Sequence, residues 1–315
     1  MNFRECYQSG RIIMTEGALG IRLRNEFGIV YNSEVANANL IYREDARKAI
    51  TKITDQYLEI AVRYRQPMMF MTPTRRASRD NVRNSSYREE LIEDNVKFYR
   101  SLLKKAMEKD PAHTELYLGG MMGCKGDAYK GTGALTANEA YEYHSWQAKL
   151  FAEAKVDFLY AAIMPTLPEA IGMAEAMAET GLPYIISLMI RTDGRMIDGT
   201  TIHTAIETIE NSIEIKPIFY MTNCVHPANV GKALAWEFNR TELVRNRLKG
   251  IQANASPLTP EELDGCCEIL SSEPTELAEE IMKLHKYHGF QILGGCCGTD
   301  ERHIEEIAKR IKNLM

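Results

Sequence analysis

The sequence predicts one (β/α)8 barrel of the TIM type, a single domain over residues 1–315. Three observations carry that expectation. Short apolar, β-rich runs alternate with helical patterns along the whole chain, as βα units around a parallel sheet do. Eight such units follow one another without a break, a linker or a low-complexity segment. A length of 315 residues, long for one ordinary domain, suits a barrel.

The first strand falls at about Arg11 to Thr15 and opens into Glu16-Gly17-Ala18-Leu19-Gly20, a turn with two glycines. An irregular segment follows, then a helix from about Glu44 to Tyr64. Pro67 to Met71 is the second strand, stopped by Pro73, and a long helix covers about Ser86 to Glu108. Leu116 to Met122 is the third strand, which opens into a loop with Cys124, Gly126, Asp127 and Gly131. Thr136 is an N-cap with Glu139 completing a capping box, and its helix runs to about Ala154. Strand four is Asp157 to Ile163, ended by Pro165; the next helix spans about Pro168 to Thr180 with Gly181 as its stop. Tyr184 to Ile190 is strand five, followed by a helix from Thr201 to Ser212. Strand six, from Ile218, ends at Cys224 before a helix at about Asn229 to Trp236. Strand seven is Leu248 to Ala253. After a Pro-rich loop and a helix from Thr275 to His288, strand eight ends at Cys296-Cys297, and a last helix runs from Asp300 to Lys312.

Composition narrows the function classes. With 45% hydrophobic and 26% charged residues the chain reads as a soluble globular protein. Lys and Arg number 38 and Asp and Glu 43, a net charge of −5 without a basic stripe, so no nucleic acid is expected. Met1 to Cys6 lacks the apolar core of a signal peptide, and no stretch approaches the roughly 20 apolar residues of a membrane span. A cytoplasmic location with no membrane partner follows as an expectation. Seven cysteines, with adjacent pairs Cys266-Cys267 and Cys296-Cys297, read in that setting as metal or reactive thiol chemistry and not as a disulfide framework.

Adjacent cysteines on a regular strand point to opposite faces. Cys296 and Cys297 can face one point only because strand eight has ended and flanking glycines let the chain turn. Cys224 holds the matching place after strand six. Strand C-termini form the catalytic rim of such a barrel, so all three thiols are expected on one rim. Three converging thiolates would hold a soft divalent ion, Zn2+ by the chemistry of the donor set, with its fourth position open.

These residues resemble the zinc-dependent homocysteine S-methyltransferase family, whose members are (β/α)8 barrels. The resemblance spans nearly the whole chain and is most specific in Asn223-Cys224 and Gly294-Gly295-Cys296-Cys297-Gly298-Thr299, with weaker echoes at Gly119 to Gly123 and Asn254. It implies Cys224, Cys296 and Cys297 as zinc ligands, and Glu16, Asn223 and Asn254 as substrate-side residues. Three positions depart from the family pattern. Glu16 stands where the family usually has Asp. Ala162-Ile163 stands where it has a Glu-Thr pair whose Glu is associated with the amino-acid end of homocysteine. Thr72-Pro73-Thr74 stands where it has Thr-Asn-Thr. The loss of the strand-four acid bears on the acceptor, not on the zinc, and leaves open a methyltransferase that acts on a different thiol.

The implied chemistry is methyl transfer from a small donor to a zinc-bound thiol, homocysteine giving methionine. A free thiol is only a few per cent ionised at neutral pH, and full ionisation is worth about 2 kcal/mol. Because the chain ends after the eighth helix, a donor with an activated leaving group, of the sulfonium or betaine type, is expected; a corrinoid-carrying partner protein and a homo-oligomer both stay open. Two other readings compete: a phosphate-binding loop at Gly294-Gly295, and a non-catalytic zinc or redox protein. Glu16 either pairs with a substrate ammonium or caps its glycine turn. Asn223 either orients Cys224 or satisfies turn backbone. Cys124, Cys266-Cys267 and His226 read as bystanders, Met68, Met69 and Met71 as barrel packing, and Tyr160, Tyr220 and Trp146 as core residues before they read as donor contacts.

Overall fold

Eight parallel strands close in sequence order into one barrel: β1 (Ile13–Thr15), β2 (Met68–Met71), β3 (Leu116–Met122), β4 (Phe158–Met164), β5 (Tyr184–Leu188), β6 (Phe219–Val225), β7 (Leu248–Ala253) and β8 (Ile292–Gly295). The helices are α1 (Phe3–Gln8), α2 (Gly20–Phe27), α3 (Glu44–Tyr64), α4 (Arg79–Arg83), α5 (Glu90–Lys109), α6 (Ala137–Glu153), α7 (Leu167–Ala178), α8 (Ile202–Ser212), α9 (Pro227–Leu234), α10 (Glu242–Arg247), α11 (Pro274–His288) and α12 (Glu301–Lys312). The computed structural model describes residues 1–258, 262 and 271–314, so Cys266 and Cys267 lie outside the described residues. Among the described residues no helix is long and apolar enough to cross a membrane.

Alternation along each strand sorts the side chains into two cores. Ile13, Met69, Met71, Tyr117, Phe158, Tyr160, Ile185, Phe219, Met221 and Ile292 fill the barrel, while Met14, Met68, Phe70, Leu118 and Tyr220 face the helices. Period two is the reason. The three β2 methionines are therefore packing, as expected. On α3 the buried positions Ala46, Ala49, Ile50, Ile53, Tyr57, Ile60 and Ala61 make one stripe against the strands. The capping box on α6 forms as read: Thr136 accepts from the Glu139 N–H, and Glu139 reaches back to the Thr136 N–H.

The differences from the sequence reading are short elements. The six-residue α1, too short to display periodicity, plugs the N-terminal end of the barrel: Phe3 stacks on Phe158 at 4.4 Å, and Cys6 is fully buried. The segment after β1, expected to be irregular, contains α2 and a 3-10 turn at Ala38–Tyr42. No side chain caps the start of α2, which removes its sequence signal. The helix expected from Ser86 begins at Glu90, because the Ser85 hydroxyl takes the Tyr87 N–H and holds that stretch as a turn. Finally, β6 continues through Val225, so Cys224 is the penultimate residue of its strand and not the last.

Candidate metal centre

Cys224 reaches the rim through a bulge. Register between β6 and β7 shifts between Asn223 and Val225, and Cys224 between them sits at φ +59°, in the left-handed region that non-glycine residues seldom occupy. Regular alternation would send Asn223 into the barrel and Cys224 out toward the helices. The bulge turns the Cys224 sulfur back, and the Asn223 Nδ2 donates to it at 3.6 Å.

The other two sulfurs arrive from β8. The Cys296 N–H donates to the Ala253 carbonyl at 2.7 Å, and the Cys297 carbonyl accepts from the Ala255 N–H at 3.0 Å. A tight turn follows, closed by the Thr299 N–H on the Cys296 carbonyl at 3.2 Å, with Gly298 at φ +78°. The Thr299 hydroxyl donates to the same carbonyl at 2.7 Å. Cys224 Sγ lies 3.9 Å from Cys297 Sγ, Cys296 Sγ lies 4.0 Å from Cys297 Sγ, and all three sulfurs fall within 4.8 Å of one another. Sulfurs around a tetrahedral ion with bonds of ~2.3 Å would stand ~3.8 Å apart. The trio therefore fits a thiophilic divalent ion with one position left over, and all three cysteines are free of disulfides.

Among the three thiols ionisation favours Cys224. Hydrogen bonds from Cys296 and Cys297 hold Cys224 well below the ordinary thiol range, against its burial. The same bond to an ionised Cys224 pushes Cys296 and Cys297 up. A cluster that gathers charge on itself in this way is prepared for a cation.

Beneath the sulfurs a polar chain crosses the top of the barrel. The Ser187 hydroxyl donates to Asn223 Oδ1 at 2.6 Å, and the Tyr160 hydroxyl donates to Gln252 Oε1 at 2.8 Å. The Tyr160 phenol is fully buried and within electrostatic reach of Cys224 and Cys296. Above them, the loop from Gly123 to Thr136 brings half-buried Tyr129 within electrostatic reach of the Cys224, Cys296 and Cys297 sulfurs. Asp127 Oδ1 holds that turn by accepting the Tyr129 and Lys130 N–H groups at 2.7 and 3.1 Å. One carboxylate pins both ends of the loop. Glu169, fully buried at the start of α7, accepts the Lys125 N–H at 2.7 Å and the Leu135 N–H at 3.4 Å, with His144 Nε2 3.2 Å away.

The remaining sequence candidates scatter. Glu16 is buried beside β2, its Oε1 accepting the Met71 N–H at 2.9 Å, and burial pushes its carboxyl up to about 8. Asn254 closes an Asx turn on the Ser256 N–H at 3.0 Å. His226 caps α9 through the Ala228 N–H and meets Ser272 with its other nitrogen, so both ring nitrogens are committed away from the sulfurs. Cys124 bonds the Gly126 carbonyl at 3.5 Å, and desolvation pushes it up to about 12. Trp146 packs on the outer core, as does Tyr220. The glycine pair of β8 is no phosphate cradle: the Gly295 N–H already donates to the Glu16 carbonyl, and the next N–H, of Cys296, to Ala253.

Sequence reasoning missed Tyr129, Ser187, Gln252 and Glu169. An aromatic residue inside a glycine-rich rim loop was the available signal for Tyr129. The others touch the site only through register and packing.

Comparison with known proteins supplies an independent finding. A family model described as homocysteine S-methyltransferase matches residues 13–311. The S-methylmethionine–homocysteine S-methyltransferase BHMT2 of Mus musculus is 25% identical over 206 residues, 57% of this chain and 54% of its own length. That of Pongo abelii is 28% identical over 210 residues, 59% and 56% respectively. The chain spans about half the length of these curated relatives. Among solved structures, the homocysteine methyltransferase MmuM from Escherichia coli in its metallated form superposes with a TM-score of 0.79 at 17% identity, covering 98% of this chain and 99% of that one. Its oxidised form gives 0.76 at 16% identity over 96% of each chain. At those identities the likeness speaks for the barrel alone.

Proposed function

The chain belongs to the homocysteine S-methyltransferase family, and we propose that it is a zinc-dependent thiol S-methyltransferase that forms methionine from homocysteine. The observation that carries this reading is the convergence of Cys224, Cys296 and Cys297 within 4.8 Å. Zinc bound there would supply ionisation of the acceptor thiol at neutral pH. The chain's own groups do the rest. The three thiolates keep the centre's net charge negative and so keep the acceptor sulfur electron-rich. Asn223 donates to the Cys224 sulfur and fixes its direction, with the Tyr129 hydroxyl within electrostatic reach. In the transfer itself the acceptor sulfur forms a bond to the methyl carbon as the donor's bond to that carbon breaks; the acceptor's proton has left to solvent. A sulfonium or betaine-type donor departs through a neutral sulfur or nitrogen atom, which favours donors of that class.

The test is metal content and methyl transfer measured together. The purified protein is expected to hold about one zinc per chain, to transfer methyl from S-methylmethionine, S-adenosylmethionine or betaine to homocysteine, and to lose both zinc and activity in Cys224→Ser. Retained activity after zinc is removed to below a tenth of stoichiometry would sink the proposal.

A further inference from the structure

Beside the thiols, on the rim between the β2 and β3 loops, lies a cavity of about 330 Å³ lined by Arg75, Arg76, Asn81, Lys125, Tyr129 and Tyr143, among others. Its electrostatics run against those of the chain, which carries a net charge of −5. Among the described residues, Arg75, Arg76 and Lys125 enter no salt bridge; Lys125 Nζ instead sits 5.1 Å from the centre of the Tyr143 ring. Asp127, the acid in the lining, has an oxygen occupied by two backbone N–H groups.

Arg75 is held close to the site by the backbone. A Cβ on Gly123, just past β3, would fall 2.5 Å from Arg75 Cγ and 2.7 Å from its carbonyl oxygen, so only glycine lets the Arg75 segment lie across that strand end. From there its guanidinium lies within electrostatic reach of the Cys224 and Cys297 sulfurs and lines the same cavity as Cys124. Tyr129 is the shared wall, lining the cavity and within electrostatic reach of Cys224. On the other side, the end of β4 offers an incoming ammonium no acid: Ala162 is apolar and packs with the barrel interior.

We infer that Arg75, backed by Arg76 and Lys125, forms an anion subsite that takes the carboxylate of the acceptor thiol, so the acceptor is selected by its carboxylate and not by its ammonium. This rests on the thiol methyltransferase reading above. It also fits the charge balance, since three ligand thiolates and an acceptor thiolate repel a further anion unless a cation meets it.

The experiment compares three acceptors at saturating donor. They are homocysteine, 4-mercaptobutyrate (homocysteine without its amino group) and 3-aminopropanethiol (homocysteine without its carboxylate). Wild-type kcat/KM is expected to survive loss of the amino group nearly intact and to fall about tenfold or more on loss of the carboxylate, as loss of one charge-assisted contact would give. Arg75→Ala should erase that preference through KM for both carboxylate-bearing thiols, and Arg75→Lys should restore part of it. A second readout needs no turnover: in the metal-free protein, the ratio of Cys224 alkylation by iodoacetate to that by iodoacetamide should drop in Arg75→Ala. If removing the amino group costs as much as removing the carboxylate, or if neither KM nor the alkylation ratio responds to Arg75→Ala, the subsite is overturned. If no thiol is methylated, it is the methyltransferase reading that falls, and the alkylation ratio still decides whether Arg75 attracts anions.

Discussion

Cys224 holds a left-handed conformation, φ +59°, inside a strand. An L-residue there gives up about 1–2 kcal/mol relative to its relaxed backbone, a penalty glycine escapes. Bringing the sulfur to its partners is what the strain accomplishes. In the metal-free protein, Cys224→Gly should therefore be more stable than Cys224→Ala by about 1 kcal/mol, the reverse of the usual order within a strand. Denaturant unfolding of the two variants measures this; alanine at or above glycine would remove strain from the account. Glu16 is the second residue whose state the fold dictates. Burial raises its carboxyl from 4.5 to about 8, with Tyr57 and Tyr99 facing the same group. Between those two pH values the folded chain binds more protons than the unfolded one, so stability falls as pH rises through that window. Glu16→Gln, which still accepts the Met71 N–H through its amide oxygen, should flatten this slope. Thermal melts from pH 4.5 to 8.5 test it, and parallel profiles for the two proteins would refute the assignment.

At the scale of elements, the loop from Gly123 to Thr136 is ordered from beneath by a residue on a different unit. Glu169 on α7 serves two backbone donors of the loop and faces His144 of α6. Removing it leaves two part-buried donors without a protein acceptor, a cost that reaches about 1–3 kcal/mol each only where no water replaces it. Glu169→Ala is expected to accelerate hydrogen exchange at the Lys125 and Leu135 amides and to raise KM by loosening Tyr129. Glu169→Gln, which keeps an acceptor oxygen, should do less on both measures. Unchanged exchange at those two amides would mean the loop orders itself.

Over the whole molecule the two ends of the barrel divide the work. The C-terminal rim carries the sulfurs, while the N-terminal end is sealed by α1, with Phe3 almost fully buried against Phe158, Tyr117 and Phe219. In such a barrel the N-terminal face serves stability and the C-terminal face chemistry, so packing at one end need not touch the site at the other. Phe3→Ala should cost about 3–5 kcal/mol of stability by opening a cavity, yet leave zinc stoichiometry and acceptor KM as in the wild type at a temperature where both proteins are folded. A fall in zinc content without unfolding would mean that the ends are mechanically coupled.

What the chain's residues dictated alone was the periodicity of eight βα units, the capping box at Thr136, and the place of Cys296 and Cys297 just past a strand end. These follow from local pattern, turn chemistry and strand order. Of the short elements, α1 escaped because fewer than two turns of helix show no period to read, and α2 because no side chain caps its start. Tertiary structure decided the rest of the site. Parity alone would have aimed Cys224 at the helices, and only pairing with β7 forces the bulge that reverses it. Glu169, Ser187, Gln252 and Arg75 acquire their roles from neighbours far away in sequence, because a buried hydrogen bond or a close backbone approach exists only once the barrel has closed.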